Sequence, residues 1–193
     1  GAAGIHAIGL LRHPASRFHR EALAIAMLIG GAAAIVQPVV GHYAAQVVAE
    51  TQPVKLAAME GQFRTERGAP LRIGGLPDET ALETPWAIEL PNLLSFLAFN
   101  DFGAEIKGLE EFPRDQWPPV AVVHVSFQIM VAIGVTLMAV AVWFFWRFWR
   151  LRAVPTSRGL LIAIVAFAPL GFIAIECGWI VTEVGRQPWI ING

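Results

Sequence analysis

The sequence predicts an all-α fold, an integral membrane helical bundle with about three full transmembrane helices, the end of a fourth and a long extracytoplasmic loop. Of the 193 residues, 55% are hydrophobic and only 15% are charged, whereas a soluble domain carries about a quarter charged residues. Three stretches stay apolar over the roughly 20 residues that a helix needs to cross the hydrocarbon core. The net charge of −1 gives no indication of nucleic-acid binding.

The order of the predicted elements follows from these stretches. The three full spans are residues 21–49, 119–146 and 159–184, and each holds at most two charged residues. Residues 1–11 are interpreted as the end of a helix whose beginning is missing, and residues 185–193 as a short extracytoplasmic end. Because the chain opens without Met and stops directly after a conspicuous motif, we expect an internal fragment.

The arginines set the predicted orientation. Seven of the fourteen Lys and Arg residues fall in the connections 12–20 and 147–158. Because short loops rich in Lys and Arg stay in the cytoplasm, both connections are predicted to be cytoplasmic. Residues 50–118, the outer segment, are then predicted to be extracytoplasmic, and the three spans alternate consistently between the two sides.

The outer segment differs in composition from the spans. Between Glu50 and Pro119 the chain holds twelve of its fifteen acidic residues and eight of its thirteen prolines. A connection of this length is uncommon unless it is functional or disordered. Apolar residues from Trp86 to Phe102 offer surface for docking on the membrane part, so we expect an ordered, functional loop.

Two carboxylates lie within the last predicted span. Glu176, Trp179 and Glu183 follow at i, i+3 and i+7 and therefore share one helical stripe. Ionisable groups inside a span usually face a bundle interior, a cavity or a cofactor. The pair with its intervening Trp favours a functional site, and a plain interfacial ion pair between Glu183 and Arg186 is the alternative.

Met130 is a candidate haem ligand in the span 119–146. A thioether is an accepted axial ligand of haem iron, and Gly134, one turn on, removes bulk from the same face. Taken alone, the pattern favours an ordinary packing role for Met130, because Met commonly fills gaps in apolar helices.

Lys55 and Glu60 open the outer segment and suit the chemistry of a quinol site. A carboxylate can accept a phenolic proton, and an ammonium group can stabilise the anion that is left. Their spacing places them about 140° apart on a helix, so joint action needs a break in the helix or a site lying between them. From the residues alone, a solvated interfacial turn is the favoured interpretation.

Four ordered segments resemble subunit I of cytochrome bd-type quinol oxidases. Two of these segments resemble the start and the end of that family's quinol-binding loop. A third segment resembles the helix that carries a haem-ligating Met, and the fourth resembles the family's most recognisable signature. They are ETQPVKLAAMEG at 50–61, GAEIKGL at 103–109 with the Pro pair at 118–119, FQIMVAIG at 127–134, and ECGWIVTEVGRQPW at 176–189. The short outer segment resembles the branch of the family that includes cyanide-insensitive oxidases.

The resemblance implies roles for the candidates near the outer segment. Lys55 and Glu60 would belong to the quinol site, and Met130 would be one axial ligand of a low-spin b haem. The histidine opposite Met130, and the other ligand of the oxygen-reducing site, would lie upstream of Gly1.

The resemblance also implies a second haem site at the signature. Glu183 would ligate the iron of a high-spin haem, either haem b or haem d, with Trp179 packed beside it and Arg186 close by. Glu176 would complete this cofactor-binding signature. Gln128 stands where some relatives carry Arg, which implies different contacts with the haem propionates.

The function implied by the resemblance is that of a terminal oxidase in the bacterial cytoplasmic (inner) membrane. Its haem-bearing subunit would oxidise ubiquinol or menaquinol at the outer face and reduce oxygen to water electrogenically, using low-spin and high-spin haem b with haem d, or haem b in its place. A second oxidase subunit, with small membrane subunits, would be its partner, and the fragment alone is expected to be inactive.

Two other classes of protein are left open by the residues. One is a different quinone-linked membrane cytochrome b, although that class normally shows His ligands within its spans. The other is a non-redox, proton-coupled transporter in which Glu176 and Glu183 form a proton relay.

Overall fold

The computed structural model describes residues 1–188 and is mostly helical. The last residues of the predicted extracytoplasmic end, including Trp189 of the signature, lie outside the described part. Three helical stretches of the described part are long and apolar enough to cross a membrane, which confirms the predicted fold class. They are Arg17–Thr51, Val120–Leu151 and Arg158–Val184.

The described part contains seven α-helices, four short strands and two turns of 3₁₀ helix. The helices are α1 Ala2–Arg12, α2 Arg17–Thr51, α3 Pro53–Glu60, α4 Leu93–Phe99, α5 Val120–Leu151, α6 Arg158–Phe167 and α7 Leu170–Val184. The strands are β1 Glu66–Arg67, β2 Leu71–Gly74, β3 Ala87–Leu90 and β4 Glu105–Ile106, and the 3₁₀ turns are Leu109–Glu111 and Arg114–Gln116.

Two helices extend beyond the predicted spans. α2 begins at Arg17 rather than at residue 21, and its first turn carries an i,i+4 ion pair in which Arg17 Nε lies 2.7 Å from Glu21 Oε1. α5 continues past Trp146 to Leu151, since neither Gly nor Pro interrupts the chain there.

Pro169 divides the last predicted span into two helices. α6 ends at Phe167 and α7 begins at Leu170. Proline has no N–H to donate to the preceding turn, and its ring crowds the residue before it. The apolar stretch of 27 residues is therefore built from α6 and α7.

One compact unit consists of residues 1–38 and 131–175. Within it α1 packs along α6, so closely that a Cβ added at Gly4 would lie 2.6 Å from the Cβ of Ala168. The absence of a side chain at Gly4 is what allows this approach. The core of the unit is apolar and comprises Ala7, Leu10, Leu23, Met27, Ala141, Phe144, Leu160, Leu161 and Ile164.

The other compact unit consists, among the described residues, of residues 39–130 and 176–188, so it includes the outer segment. In this segment β1 pairs with β4 and β2 pairs with β3, both antiparallel. The two ends of the segment meet, because the N–H of Leu109 donates to the carbonyl oxygen of Gln62 at 3.0 Å. The sheets were not predicted, since strands of two to four residues leave little pattern to read.

The apolar residues of the outer segment are only partly buried. Leu94 and Ala98 on α4 join a core cluster with Leu56 of α3. Buried Ser95 ties α4 down, since its Oγ donates to a backbone carbonyl oxygen at 2.8 Å. Trp86 projects from a turn with φ +66° and is exposed, so it takes no part in the expected docking.

Candidate functional site

α3 places two ionisable side chains in the interior of the outer segment. Pro53 starts the helix, where its missing N–H costs no hydrogen bond. Gly61 ends it with φ +61°, the left-handed conformation that glycine adopts without strain. Lys55 is 9% exposed and Glu60 is 4% exposed. The solvated interfacial turn favoured by the residues alone is therefore wrong.

Glu60 is a buried carboxyl group with a free oxygen. Among residues 1–188, its Oε2 has no hydrogen-bond partner. Burial raises the pKa of Glu60 to about 8, and the positive charge of Arg72 opposes that rise only in part. The carboxyl group is therefore mostly protonated at neutral pH and ionises when the pH rises slightly above neutral.

Arg72 on β2 lies at the centre of a polar network beside Glu60. Its Nε donates to Glu89 Oε1 at 3.0 Å, and its Nη2 lies 3.5 Å from Glu66 Oε1. Its Nη1 donates to Gln62 Oε1. Gln62 in turn donates to Glu66 Oε1 at 2.7 Å. No sequence signal marks Gln62 or Arg72, because neither shares a motif or a helical spacing with Glu60.

Lys55 points away from this network, towards the end of α7. A Cβ added at Gly185 would lie 3.3 Å from Cγ and Cε of Lys55. Desolvation lowers the pKa of Lys55, nearby Arg186 lowers it further, and Glu183 acts in the opposite direction. The structure thus brings Lys55 to the signature, while Glu60 has other neighbours.

The signature residues of α7 lie on an open face. Glu176 and Glu183 are exposed, and Trp179 is 65% exposed, so no residue of the described part covers this stripe. Glu183 accepts a hydrogen bond from Arg186 through its Oε2, as an i,i+3 ion pair. The predicted ion pair is present, and it sits beside a wide, uncovered face.

Met130 packs against the opposite side of α7. A Cβ added at Gly178 would lie 3.1 Å from the sulfur of half-buried Met130. At about 100° per residue, Gly178 lies roughly 200° around the helix from Glu176. α7 therefore stands between the sulfur of Met130 and the stripe of carboxylates.

Two further polar residues of α5 reach the outer segment. His124 is fully buried, with Nδ1 at 2.9 Å from the carbonyl oxygen of Met59 and Nε2 at 3.1 Å from that of Gly74. Gln128 donates to the carbonyl oxygen of Arg72 at 2.8 Å and accepts from the N–H of Gly74 at 3.2 Å. Their i,i+4 spacing on α5 is the sequence signal that places the two side chains on one face.

Two side chains near α7 carry donor atoms of a kind that haem iron accepts. Within residues 1–188, no group of three or more His, Cys, Asp or Glu side chains could hold a metal ion. A haem iron needs only one protein atom on each axial side. The thioether of Met130 and the carboxylate of Glu183 each offer such an atom, on opposite sides of α7.

Fold and donor residues together define a multi-pass helical membrane protein. The family model described as cytochrome bd terminal oxidase subunit I matches residues 2–193. The chain belongs to this family, whose members reside in the bacterial inner membrane.

Individual relatives agree with that assignment. A Bacillus subtilis protein provisionally named cytochrome bd menaquinol oxidase subunit I is 45% identical over 91% of this chain and 39% of its own length. The cytochrome bd ubiquinol oxidase subunit 1 of Bacillus subtilis is 32% identical over 99% of this chain and 43% of its own length. The chain thus spans less than half the length of these relatives.

A solved structure shows the same fold. The bd oxidase from Geobacillus thermodenitrificans matches with a TM-score of 0.88 and 39% sequence identity. The match covers 100% of this chain and 44% of the other chain.

Proposed function

We propose that this chain is part of the haem-bearing subunit of a quinol:oxygen oxidoreductase, which oxidises quinol at the outer membrane face and reduces oxygen to water. The observation that carries the proposal is the buried carboxyl group of Glu60, with an unpaired Oε2 and a pKa raised to about 8. Membership of the cytochrome bd terminal oxidase subunit I family supports the same function.

Glu60 is suited to take a proton from a quinol hydroxyl once its own proton has left, because the ionised carboxylate is the form that accepts. A general base works best when its proton affinity matches the working pH, and burial has brought the pKa of Glu60 into that range. Its free Oε2 leaves a position for the incoming hydroxyl group. Arg72 limits the cost of the ionised form, because its charge lowers the pKa of Glu60.

Lys55 is suited to hold the negative charge that proton loss leaves behind. The residue is buried, and charge interactions are stronger in such a setting than in water. Burial also lowers the pKa of Lys55. Lys55 and Glu60 lie on different sides of α3, and we place the quinol ring at this helix.

Met130 and Glu183 are the residues that would hold haem. Met130 would ligate a low-spin b haem, and Glu183 the high-spin b haem or haem d, with Trp179, Arg186 and Glu176 lining the same face. When bound, haem supplies the one-electron and oxygen chemistry that side chains lack. The open stripe of α7 leaves room for such a flat, apolar group.

The predicted orientation gives the reaction a consequence for the membrane. Protons released to the outside and protons taken from the inside build a membrane potential without a pump. We further propose a second oxidase subunit as partner, with small membrane subunits besides, and either ubiquinol or menaquinol as substrate.

The test uses the full-length oxidase that contains this chain. Glu60→Gln removes the carboxyl group that would exchange a proton with quinol and keeps the shape of the side chain. We expect quinol-driven oxygen consumption to fall strongly, while haem content and oxygen consumption driven by a donor that bypasses quinol stay nearly normal. Glu50→Gln, which changes an exposed carboxylate at the end of α2, is the matched control. An equal fall of both activities in Glu60→Gln would make Glu60 structural and remove it from the quinol site.

A further inference from the structure

A cleft lies between the end of α1 and the start of α6, both in the unit of residues 1–38 and 131–175. Its volume is about 470 Å³, within the range of clefts that hold small ligands. Its walls include the apolar side chains of Leu10, Leu11, Leu161 and Ile162. Leu10 and Leu161 are buried, whereas Leu11 and Ile162 are exposed. The cleft therefore has a closed apolar floor and an accessible side.

Two polar side chains, those of Thr156 and Arg158, line the same cleft. Arg158 begins α6, and Ile162 follows it at i+4, so both lie on one helical face, about 6 Å apart along the axis. A guanidinium group binds phosphate oxygens through two parallel N–H groups, and a hydroxyl group can donate a further hydrogen bond. The cleft thus offers an anion-binding end and an apolar end.

The cleft lies at a predicted boundary of the bilayer. α1 ends at Arg12 and α6 begins at Arg158, and both residues belong to connections that the positive-inside rule places in the cytoplasm. Trp146 and Trp149, near the end of α5, are exposed, and Trp side chains are enriched at the level of the lipid headgroups. The anion-binding end of the cleft therefore lies at headgroup level, and its apolar end lies one turn deeper.

The charge of this unit favours an anionic ligand. Residues 1–38 and 131–175 include seven arginines and a single acidic residue, Glu21. Glu21 is already paired, since its Oε1 lies 2.7 Å from Arg17 Nε. Arg158 consequently has no carboxylate partner within its own unit. Positive charge beside a membrane attracts anionic lipids, so the missing negative charge can come from the bilayer.

We propose that this cleft binds an anionic phospholipid of the cytoplasmic leaflet, with its phosphate on Arg158 and Thr156 and the upper part of an acyl chain along Leu11 and Ile162. A free phosphate ion would leave the apolar walls in contact with water, and an uncharged hydrocarbon would leave Arg158 without an anion. Because the walls come from both α1 and α6, the lipid joins these helices and stabilises the folded chain. None of these residues is proposed to hold quinol or haem, so the lipid site is independent of the proposed function.

The test uses the full-length oxidase, stripped of lipid in a neutral detergent, and follows its apparent unfolding temperature as lipid is added. We expect phosphatidylglycerol to raise that temperature at concentrations several-fold lower than phosphatidylcholine with the same acyl chains. Arg158→Gln should remove most of this preference, because it takes the guanidinium group out of the cleft. Arg17→Gln is the matched control, since it removes an equal charge at a residue that does not line the cleft, and it should keep the preference.

Two further measurements separate the lipid from other ligands and from a folding defect. Inorganic phosphate at the same concentrations should leave the unfolding temperature unchanged. Thr156→Val keeps the shape of an exposed side chain and should weaken the preference in the same direction as Arg158→Gln, so it decides the matter where Arg158→Gln does not fold. Equal effects of the two lipids, or an effect of phosphate as large as that of phosphatidylglycerol, would overturn the proposal. An equal loss in Arg158→Gln and Arg17→Gln, or an unchanged preference in Thr156→Val, would overturn it as well.

Discussion

Lys55 lies against the backbone at Gly185, with its Cγ and Cε 3.3 Å from the position that a Cβ at residue 185 would occupy. The same Cβ would also clash with the carbonyl oxygen of Val181. The contact joins the beginning of the outer segment to the end of α7, two parts of the chain that are far apart in sequence. A residue with any side chain at position 185 has to displace Lys55 or the last turn of α7.

Gly185→Ala should therefore destabilise the parent oxidase. Overpacking of a well-filled site costs about 1–3 kcal/mol, and the apparent unfolding temperature should fall accordingly. Gly103→Ala is the control, because a Cβ there would be 3.6 Å from its nearest neighbour, an ordinary contact. Equal unfolding temperatures for both variants would contradict the tight packing of Lys55 on Gly185.

Glu60 should make stability depend on pH. Its pKa is about 8 in the folded chain, against 4.5 for an ordinary glutamate side chain, so the folded state binds the proton more tightly. Stability from this group is fully present below about pH 4.5 and is lost as pH rises towards 8. The loss is on the order of a few kcal/mol, at about 1.4 kcal/mol per pH unit.

Glu60→Gln removes that dependence. The variant and the native oxidase should unfold alike at low pH, and the variant should become the more stable of the two as pH rises to 8. The difference in apparent unfolding temperature, followed across this range, measures the effect. A constant difference would mean that Glu60 is not a buried, protonated group.

Met130→Leu should abolish the low-spin haem signal of the parent oxidase. Leucine keeps the size and apolarity of the side chain but has no sulfur to bind iron. An optical spectrum of the reduced protein should show the low-spin haem lost or converted to high spin, with the other haems kept. Met27→Leu, in the apolar core of the other unit, is the control. A normal low-spin band in Met130→Leu would show that Met130 only packs in the apolar interior and does not ligate haem iron.

Glu183→Gln should remove a haem and with it oxygen reduction. A carboxylate ligand stabilises the ferric iron through its negative charge, which an amide does not carry. If Glu183 served only its ion pair with Arg186, an exposed pair would contribute about 0–1 kcal/mol and the haems would stay. Glu21→Gln, which breaks another exposed ion pair, serves as the comparison. Full haem content and near-normal turnover in Glu183→Gln would contradict the assignment of Glu183 as a haem ligand.

The orientation of the chain can be read with fusion reporters. The positive-inside rule places residues 147–158 in the cytoplasm and the outer segment outside. A reporter active only outside the cytoplasm should be active when fused near Gly75 and silent when fused near Pro155. The reverse pattern would move the proposed quinol site to the other side of the membrane.

Hydropathy and spacing predict much of this architecture. The three membrane-spanning stretches follow from the length of the apolar runs, and the shared face of Glu176, Trp179 and Glu183 follows from helical periodicity. Both depend on neighbours in sequence. The break at Pro169 could also have been read from the proline, although the apolar run hides it.

The interior of the outer segment could not be predicted in the same way. The burial of Lys55 depends on Gly185, and the carbonyl partners of His124 come from two separate elements. Such contacts are set by tertiary packing, which leaves no periodic trace in the chain. The resemblance to a family pointed to Lys55 and Glu60, but it did not indicate Gln62, Arg72 or His124.

The uncovered stripe of α7 bears on how the whole protein is made. A helix that enters the bilayer with a carboxylate near its centre is penalised by about 2.5–3.5 kcal/mol for a residue such as Asp, and the last span carries both Glu176 and Glu183. Its apolar residues offset that penalty at insertion, yet the described residues leave both side chains uncovered. Assembly of the remaining helices, of the cofactor and of any partner subunit should therefore follow insertion quickly. A subunit that fails to assemble would expose a polar stripe inside the membrane, where ionisable side chains are unfavourable.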